Sequence, residues 1–149
     1  MRSNRPLTQF AVRKLEEFLQ AGESGFVPCA EGNTSTSIER DGDLTVLGFW
    51  LHSARILELV FDGEQFIEAI LYDGGFFDGD GRPSKTTRER LNGLLDALGE
   101  ACLLPEGIRV YLDGPTAYVG RRGDIRMPLG RGHASVAIGS NPVKVEFLL

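Results

Sequence analysis

The sequence contains few of the residues from which reactive sites are usually built. It has two cysteines and two histidines in 149 residues. Cys29 and Cys102 lie far apart and match no metal-ligand spacing. We therefore expect two reduced thiols in a cytosolic protein, and not a disulfide or a zinc site. No catalytic residue, no metal and no cofactor is predicted.

Long apolar segments are also missing. The longest strongly apolar stretch, Val46 to Leu51, is far shorter than the roughly 20 residues that cross a bilayer. Met1 to Pro6 are polar, and no apolar segment of a secretory signal follows them. These features predict a soluble cytoplasmic protein without a membrane partner.

The sequence also has no excess of positive charge. It contains 16 Lys and Arg and 21 Asp and Glu, which gives a net charge of −5. This balance argues against a general nucleic-acid-binding protein, which needs basic surface for phosphates. The charges are unevenly distributed. The acids between residues 58 and 80, a stretch without Lys or Arg, are Glu58, Asp62, Glu64, Glu68, Asp73, Asp78 and Asp80.

Glycine and proline are plentiful, and the 19 glycines and 7 prolines indicate many turns and short strands. A first helix is predicted over residues 9–21, capped by Thr8, because its apolar residues recur at helical spacing and Gly22 follows it. Two hairpins are predicted next, 36–40 with 44–51 and 55–61 with 65–72, each with an Asp-Gly turn. Apolar residues reach both faces of residues 55–61, so a strand covered on both sides is expected.

A second helix is predicted to begin with a capping box of Thr86 and Glu89 and to end at Gly99. Its leucines form one apolar stripe, which leaves Arg90 and Asn92 on the outer face. Short strands are predicted within residues 108–149.

Together these elements predict a single α+β domain over residues 1–149. It has an N-terminal helix (9–21), a central strand–turn–helix core (36–101) and a C-terminal β region (108–149). The antiparallel sheet should have about five to seven strands, with two helices packed on it.

Five short motifs in the central region carry a resemblance. They are Gly32-Asn33-Thr34-Ser35, Leu51-His52-Ser53, Arg55-Ile56-Leu57, Gly74-Gly75-Phe76 and Thr86-Thr87-Arg88-Glu89-Arg90-Leu91-Asn92. With them the chain resembles a large set of small, mostly uncharacterised proteins encoded by bacteriophages and mobile elements, over about half of its length. The resemblance implies a genomic setting. Small phage proteins without catalytic motifs often bind and block host machinery, including defence systems.

The acidic run supplies the first candidate surface. Its partner-binding candidates are Glu64, Glu68, Asp73, Asp78 and Asp80. Such a surface would dock on the basic groove of a nucleic-acid-handling protein and compete there with phosphate. Charged turns and sheet edges that prevent edge-to-edge pairing explain the same residues without a partner.

A basic strip supplies the second candidate. Arg121, Arg122, Arg126 and Arg131 lie among glycines, and Tyr118 would add a stacking ring. The strip would contact nucleic acid or another anion directly. A solvated basic rim that offsets the acidic hairpin explains it equally well.

The histidines give the third hypothesis, which we rank last. His133-Ala134-Ser135 fits the His-x-Ser element of two-histidine phosphoesterases, which need a second such element to supply both base and acid. His52 is followed directly by Ser53, and this offset sends the hydroxyl to the opposite face of a strand.

We rank first a non-enzymatic, phage-type protein in the cytoplasm of the host bacterium. It would dock on and inhibit a host protein or nucleoprotein complex that handles nucleic acid, as an anti-CRISPR protein does. The alternative is a small nucleic-acid-binding accessory protein that uses the basic strip. The sequence indicates no particular oligomeric state.

Overall fold

The computed structural model describes residues 5–139 and the backbone of residues 147–148. The first half of the chain contains α1 (Pro6–Ala21), a 3-10 turn (Glu23–Gly25), β1 (Ala30–Glu31), β2 (Thr34–Asp41), β3 (Leu44–Leu51), β4 (Ala54–Asp62) and β5 (Gln65–Tyr72). The second half contains α2 (Lys85–Glu100), β6 (Arg109–Asp113), β7 (Thr116–Gly120), β8 (Arg126–Pro128), β9 (Ser135–Gly139) and β10 (Phe147–Leu148).

The strands form two antiparallel sheets. The large sheet has seven strands in the order β1-β2-β3-β4-β5-β9-β10, and β6, β7 and β8 form a separate three-stranded sheet. The predicted α+β class, with two helices on an antiparallel sheet, is therefore confirmed. That β6, β7 and β8 form a sheet of their own was not predicted: these neighbouring strands pair locally, but whether they also join the large sheet depends on contacts with distant strands. The strand predicted near the C-terminus lies mostly outside the described residues.

Helix α1 begins at Pro6, and the prediction that Thr8 caps it is wrong. Proline is favoured in the first helical turn because its missing N–H would be unpaired there anyway. Thr8 is buried inside the helix, where its hydroxyl accepts a hydrogen bond from Arg90 Nε at 3.0 Å. The helix ends where predicted, at Ala21, and Gly22 follows with a φ of 70° that favours glycine.

Helix α2 corrects two further predictions. Its N-cap is Ser84, whose hydroxyl accepts from the Thr87 N–H at 3.2 Å, so the capping box at Thr86 is wrong. Arg90 does not face solvent. It is 4% exposed and donates to the hydroxyls of Thr8 and Thr34, which ties α2 to α1 and β2. Burial lowers the pKa of its guanidinium.

Asn92, also predicted for the outer face, links α2 to the small sheet. Its carboxamide accepts from the Val110 N–H at 2.7 Å and donates to the Val110 carbonyl at 2.9 Å. The side chain therefore pairs with the edge of β6 as a neighbouring strand would. One hydrophobic cluster then joins both helices with the core-facing sides of both sheets.

Candidate interaction surface

The large sheet has two faces of different character. One face packs on the helices through residues such as Leu47, Phe49 and Leu59, which belong to the hydrophobic cluster. Strand pairing assigns the alternate residues to the opposite face, which we call the outer face. It comprises Ser35, Ser37, Glu39, Val46, Gly48, Trp50, Arg55, Glu58, Val60, Glu68, Ile70, Tyr72, Ser135 and Ala137.

None of the outer-face residues belongs to the hydrophobic cluster that contains the helices. The strand that was expected to be covered on both sides is confirmed as such, because residues 56–61 of β4 are all buried; Val46 and Ile70 on the neighbouring strands are half-buried. The outer face therefore lies outside the helix-packed cluster, but it is not uniformly exposed, because Glu58 and Val60 of β4 are 9% and 8% exposed.

Trp50 and Arg55 lie on this face at the end where β3 turns into β4. They are partners across β3 and β4, and the guanidinium carbon lies 4.6 Å from the centroid of the indole ring. The indole N–H donates to Ser37 Oγ at 2.9 Å. Gly48 makes this possible, because a Cβ at that position would lie 2.4 Å from Ser37 Oγ. The tryptophan is thus held in one orientation.

Arg55 continues the network to Glu58 and Tyr72. Its guanidinium lies 2.9 Å from Glu58 and 3.5 Å from Glu39. The Tyr72 hydroxyl hydrogen-bonds Glu58, and burial followed by this bond raises the pKa of Tyr72 to about 12. The phenol is therefore a hydrogen-bond donor at neutral pH. We call Trp50, Arg55, Glu58 and Tyr72 the outer-face cluster.

The structure separates the five predicted acidic residues. Glu68 lies on the outer face, and Glu64 is exposed in the β4–β5 turn at one end of the sheet. Asp73 follows the other end of β5, and its carboxylate accepts from the Gly75 N–H at 2.9 Å. The eight residues of β5 span about 26 Å between the two ends. The five acids do not form one patch.

Asp78 and Asp80 lie in the loop before α2, where Asp78 has a structural role. Its carboxylate accepts from Arg82 Nε at 2.7 Å and from the Asp80 N–H at 2.9 Å. The bond from Arg82 lowers the pKa of Asp78. Arg82 also donates to the Gly114 carbonyl at 3.0 Å, which fastens the loop to the small sheet. These contacts account for Asp78 without a partner.

The predicted basic strip is also divided. Arg126 lies 3.7 Å from the centroid of the Tyr118 ring, and Arg122 lies 4.5 Å from that of Tyr111. The two tyrosines are cross-strand partners on β6 and β7, so these two arginines lie side by side on the small sheet. Arg126 also pairs with Asp113 at 2.7 Å, which raises the pKa of the arginine and lowers that of the acid.

The other two arginines of the strip have different surroundings. Arg121 pairs with Asp124 at 3.7 Å, and Arg131 lies 5.1 Å from the Phe77 ring, next to the Asp78 loop. The structure therefore brings together only two of the four predicted basic residues.

The histidines lie in exposed turns. His52 joins β3 to β4 with a φ of 55°, and its ring lies 5.5 Å from that of Phe76. His133 belongs to a tight turn with Gly130. Among the described residues, no three His, Cys, Asp or Glu side chains are grouped as a metal ion would require. No helix in the described ranges is long and apolar enough to cross a membrane.

The comparisons with known proteins add no family. No family model matches the chain, and neither a curated protein nor a solved structure matches it. The candidate site is therefore defined by the geometry alone.

The outer-face cluster was missed from the sequence. In the sequence Trp50, Arg55 and Tyr72 have the residue types of ordinary strand positions, and Glu58 is one charge of the acidic run. Two signals were present: Gly48 interrupts a strand of large residues, and Glu58 interrupts an apolar one. Glycine inside a strand often marks close approach of another group.

Proposed function

We propose that the chain is a non-enzymatic, phage-type binding protein that docks on and inhibits a host macromolecular complex through its outer face. The observation that supports this is the outer-face cluster, in which a half-buried tryptophan, arginine and tyrosine lie together on the sheet face opposite the helices. These three residue types are enriched among the residues that dominate binding energy at protein interfaces.

The cluster is also preorganised. Trp50 is fixed by Ser37, and Arg55 and Tyr72 are both held by Glu58. Side chains that are already ordered lose less entropy when a partner binds, by roughly 0.5–1.5 kcal/mol for each one. The same cluster would therefore bind more tightly than an equal area of mobile side chains.

Charge indicates what kind of partner fits. The outer face and the hairpin turns at its Glu64 end carry seven acids, while Arg55 is the only basic residue among the outer-face residues. The acids are Glu39, Asp41, Asp43, Glu58, Asp62, Glu64 and Glu68. Such a surface complements a basic groove, and complementarity of this kind speeds association and selects the partner.

We infer that the partner is a host protein or nucleoprotein complex whose basic groove handles nucleic acid. A protein seated in that groove would exclude the phosphate backbone and so inhibit the complex. Defence nucleases such as CRISPR–Cas complexes belong to this class of partner, and in that case the chain would serve to evade host defence.

Capture from a host lysate tests the proposal when it is combined with competition and variants. The immobilised wild-type chain should retain a nucleic-acid-handling subunit, and added duplex DNA should displace it. Trp50→Ala should lose the subunit because it removes the indole ring of the outer-face cluster, and Glu68→Lys should weaken capture through charge reversal. Glu106→Lys, an exposed acid in the loop between α2 and β6, makes the same charge change away from the outer face.

The controls decide the outcome. Retention of the subunit by Trp50→Ala, or equal losses with Glu68→Lys and Glu106→Lys, would contradict docking through the outer face. Circular dichroism and thermal unfolding of each variant separate a loss of binding from a loss of folding.

A second candidate function is direct contact with nucleic acid through the small sheet. It is favoured by the two arginines stacked on adjacent tyrosines, Arg122 on Tyr111 and Arg126 on Tyr118. Guanidinium planes in such an array can stack with bases and contact phosphates. Single-stranded DNA binding that weakens with salt and falls when Arg122 and Arg126 are both replaced by alanine would support this candidate.

A further inference from the structure

The small sheet has one face on the hydrophobic core and one face away from it. The residues of β6 and β7 in the hydrophobic cluster are Val110, Ala117 and Val119. Because side chains alternate along a strand, Tyr111, Asp113 and Tyr118 lie on the opposite face. The pairing of β7 with β8 adds Arg126 to them. We call this surface the tyrosine face.

An acid and two arginines lie together on the tyrosine face. The Asp113 carboxylate lies 2.7 Å from Nη1 of Arg126. The hydrogen bond from Arg126 lowers the pKa of Asp113, and the charge of Arg122 lowers it further. The Asp113 carboxylate is therefore an anion that is held by one guanidinium group and lies in the field of a second.

Both guanidinium groups remain accessible to a ligand. Arg126 also hydrogen-bonds Tyr111, and Nη2 of Arg122 donates to the Leu112 carbonyl at 3.3 Å. Both arginine side chains are nevertheless exposed, to 38% in Arg126. The Asp113 side chain is 58% exposed, so it can leave the arginine without disturbing the core.

The chemistry of this site suits a phosphate as well as a carboxylate. Guanidinium groups bind both anions through the same fork of N–H donors. The carboxylate seated on Arg126 thus marks a position that a phosphodiester can take. Beside it, the planes of two arginines, each lying on a tyrosine ring, provide stacking surfaces for bases.

We propose that the position of the Asp113 carboxylate is the phosphate subsite of a single-strand binding site on the tyrosine face, and that Asp113 competes with a bound strand for Arg126. The inference rests on the second candidate function, direct contact of the small sheet with nucleic acid. A strand binds when its phosphate displaces the carboxylate and its bases stack beside Arg122 and Arg126. Asp113 thereby limits the affinity for nucleic acid.

Fluorescence anisotropy of a labelled oligothymidine strand of about 12 nucleotides tests the subsite. The full chain is titrated at salt concentrations from about 50 to 200 mM, which gives the affinity and its salt dependence. Asp113→Asn keeps the shape of the side chain and removes its charge. It should raise the affinity roughly threefold, as expected for an exposed ion pair. It should also steepen the slope of log K against log salt by about 0.7, for one added phosphate contact.

Asp124→Asn is the matched control in the turn between β7 and β8. Asp124 is 56% exposed and lies 3.7 Å from Arg121, which packs beside Gly107 in the loop between α2 and β6. The variant makes the same charge change close to the tyrosine face without releasing Arg126, so its salt slope should equal that of the wild type. Equal gains and equal slopes in the two variants would mean that only net charge matters and would overturn the subsite.

A double variant tests whether the gain passes through the arginine. Arg126→Ala combined with Asp113→Asn should remove the gain, because no guanidinium is then released. A gain that survives would overturn the proposal. Thermal unfolding of every variant verifies that the chain is folded.

The same titrations separate this inference from the function on which it rests. If wild-type binding falls when Arg122 and Arg126 are replaced by alanine, but Asp113→Asn leaves affinity and slope unchanged, the second candidate function stands and competition by Asp113 is wrong. A lower affinity of Asp113→Asn would likewise overturn competition, because Asp113 would then position Arg126. Absence of strand binding from both the wild type and Asp113→Asn would overturn the subsite and the second candidate function together.

Discussion

Gly93→Ala should destabilise the protein although alanine is the better helix former. Gly93 lies inside α2, where α1 crosses it, and a Cβ there would be 2.3 Å from Thr8 Cγ2. Carbon atoms in contact prefer about 3.5–4.0 Å, so one element has to move. Thr8 cannot simply rotate, because its hydroxyl accepts from Arg90 at 3.0 Å and donates to Glu89 at 3.4 Å.

Helix propensity and steric overlap have opposite effects on the free energy of unfolding of Gly93→Ala. Replacing glycine by alanine inside a helix stabilises it by about 1 kcal/mol. Overpacking a tight core contact costs about 1–3 kcal/mol. The contact distance places Gly93 toward the upper part of that range. We therefore expect a net loss of about 1–2 kcal/mol, which lowers the melting temperature by about 2–4 °C for each kcal/mol in a protein of this size.

Urea and thermal unfolding measure the effect, with a control in the same helix. At Gly99 a Cβ would meet the backbone of Glu106 at 3.4 Å, an ordinary contact, so Gly99→Ala should be neutral or stabilising. Thr8→Ser removes the clashing methyl group and keeps the hydroxyl. The double variant with Gly93→Ala should therefore be more stable than the two single changes predict by addition.

The reasoning fails if Gly93→Ala is as stable as Gly99→Ala, or if Thr8→Ser does not rescue it. Either result would mean that the helices separate at little cost. The contact between Thr8 and Gly93 would then not fix the distance between α1 and α2.

Two further predictions concern single polar contacts. Asn92→Ala removes both hydrogen bonds to Val110 and leaves the edge of β6 uncovered, so the free energy of unfolding should fall by about 1–3 kcal/mol. A smaller change, measured by urea unfolding, would mean that water takes over the hydrogen bonds of the lost amide. Absorbance near 295 nm should show one phenol ionising at about pH 12, a step that Tyr72→Phe removes. Because this pKa is raised on folding, the stability linked to Tyr72 is complete below about pH 10 and is lost as the pH rises toward 12. If no Tyr72-dependent loss of stability occurs over that interval, a half-buried phenol bound to Glu58 is contradicted.

The sequence alone was enough for much of the local structure. The Asp-Gly turns at residues 41–43 and 62–64 lie where predicted, and so does the end of α1 at Ala21. These features depend on local chemistry: glycine adopts conformations that other residues avoid, and alternating apolar residues suit strands. The α+β class followed from them.

Predictions from local sequence patterns were wrong for residues that lie where α1 and α2 are in contact. Thr8 has the residue type of a helix cap but is buried against Arg90, and Arg90 has the residue type of an exposed helix face. A buried arginine is stable only with hydrogen-bonding partners, and its partners here come from α1 and β2. No local pattern in α2 identifies them.

The sequence by itself determined the type of each main element and the uneven distribution of charge. Only the tertiary structure decided that Trp50, Arg55 and Tyr72 share one face, that the acids divide between two ends of β5, and that Asn92 of α2 pairs with the edge of β6. The physical reason is that hydrogen-bond register and helix direction depend on pairings between residues far apart in the chain, whereas turns and periodicity depend on neighbours.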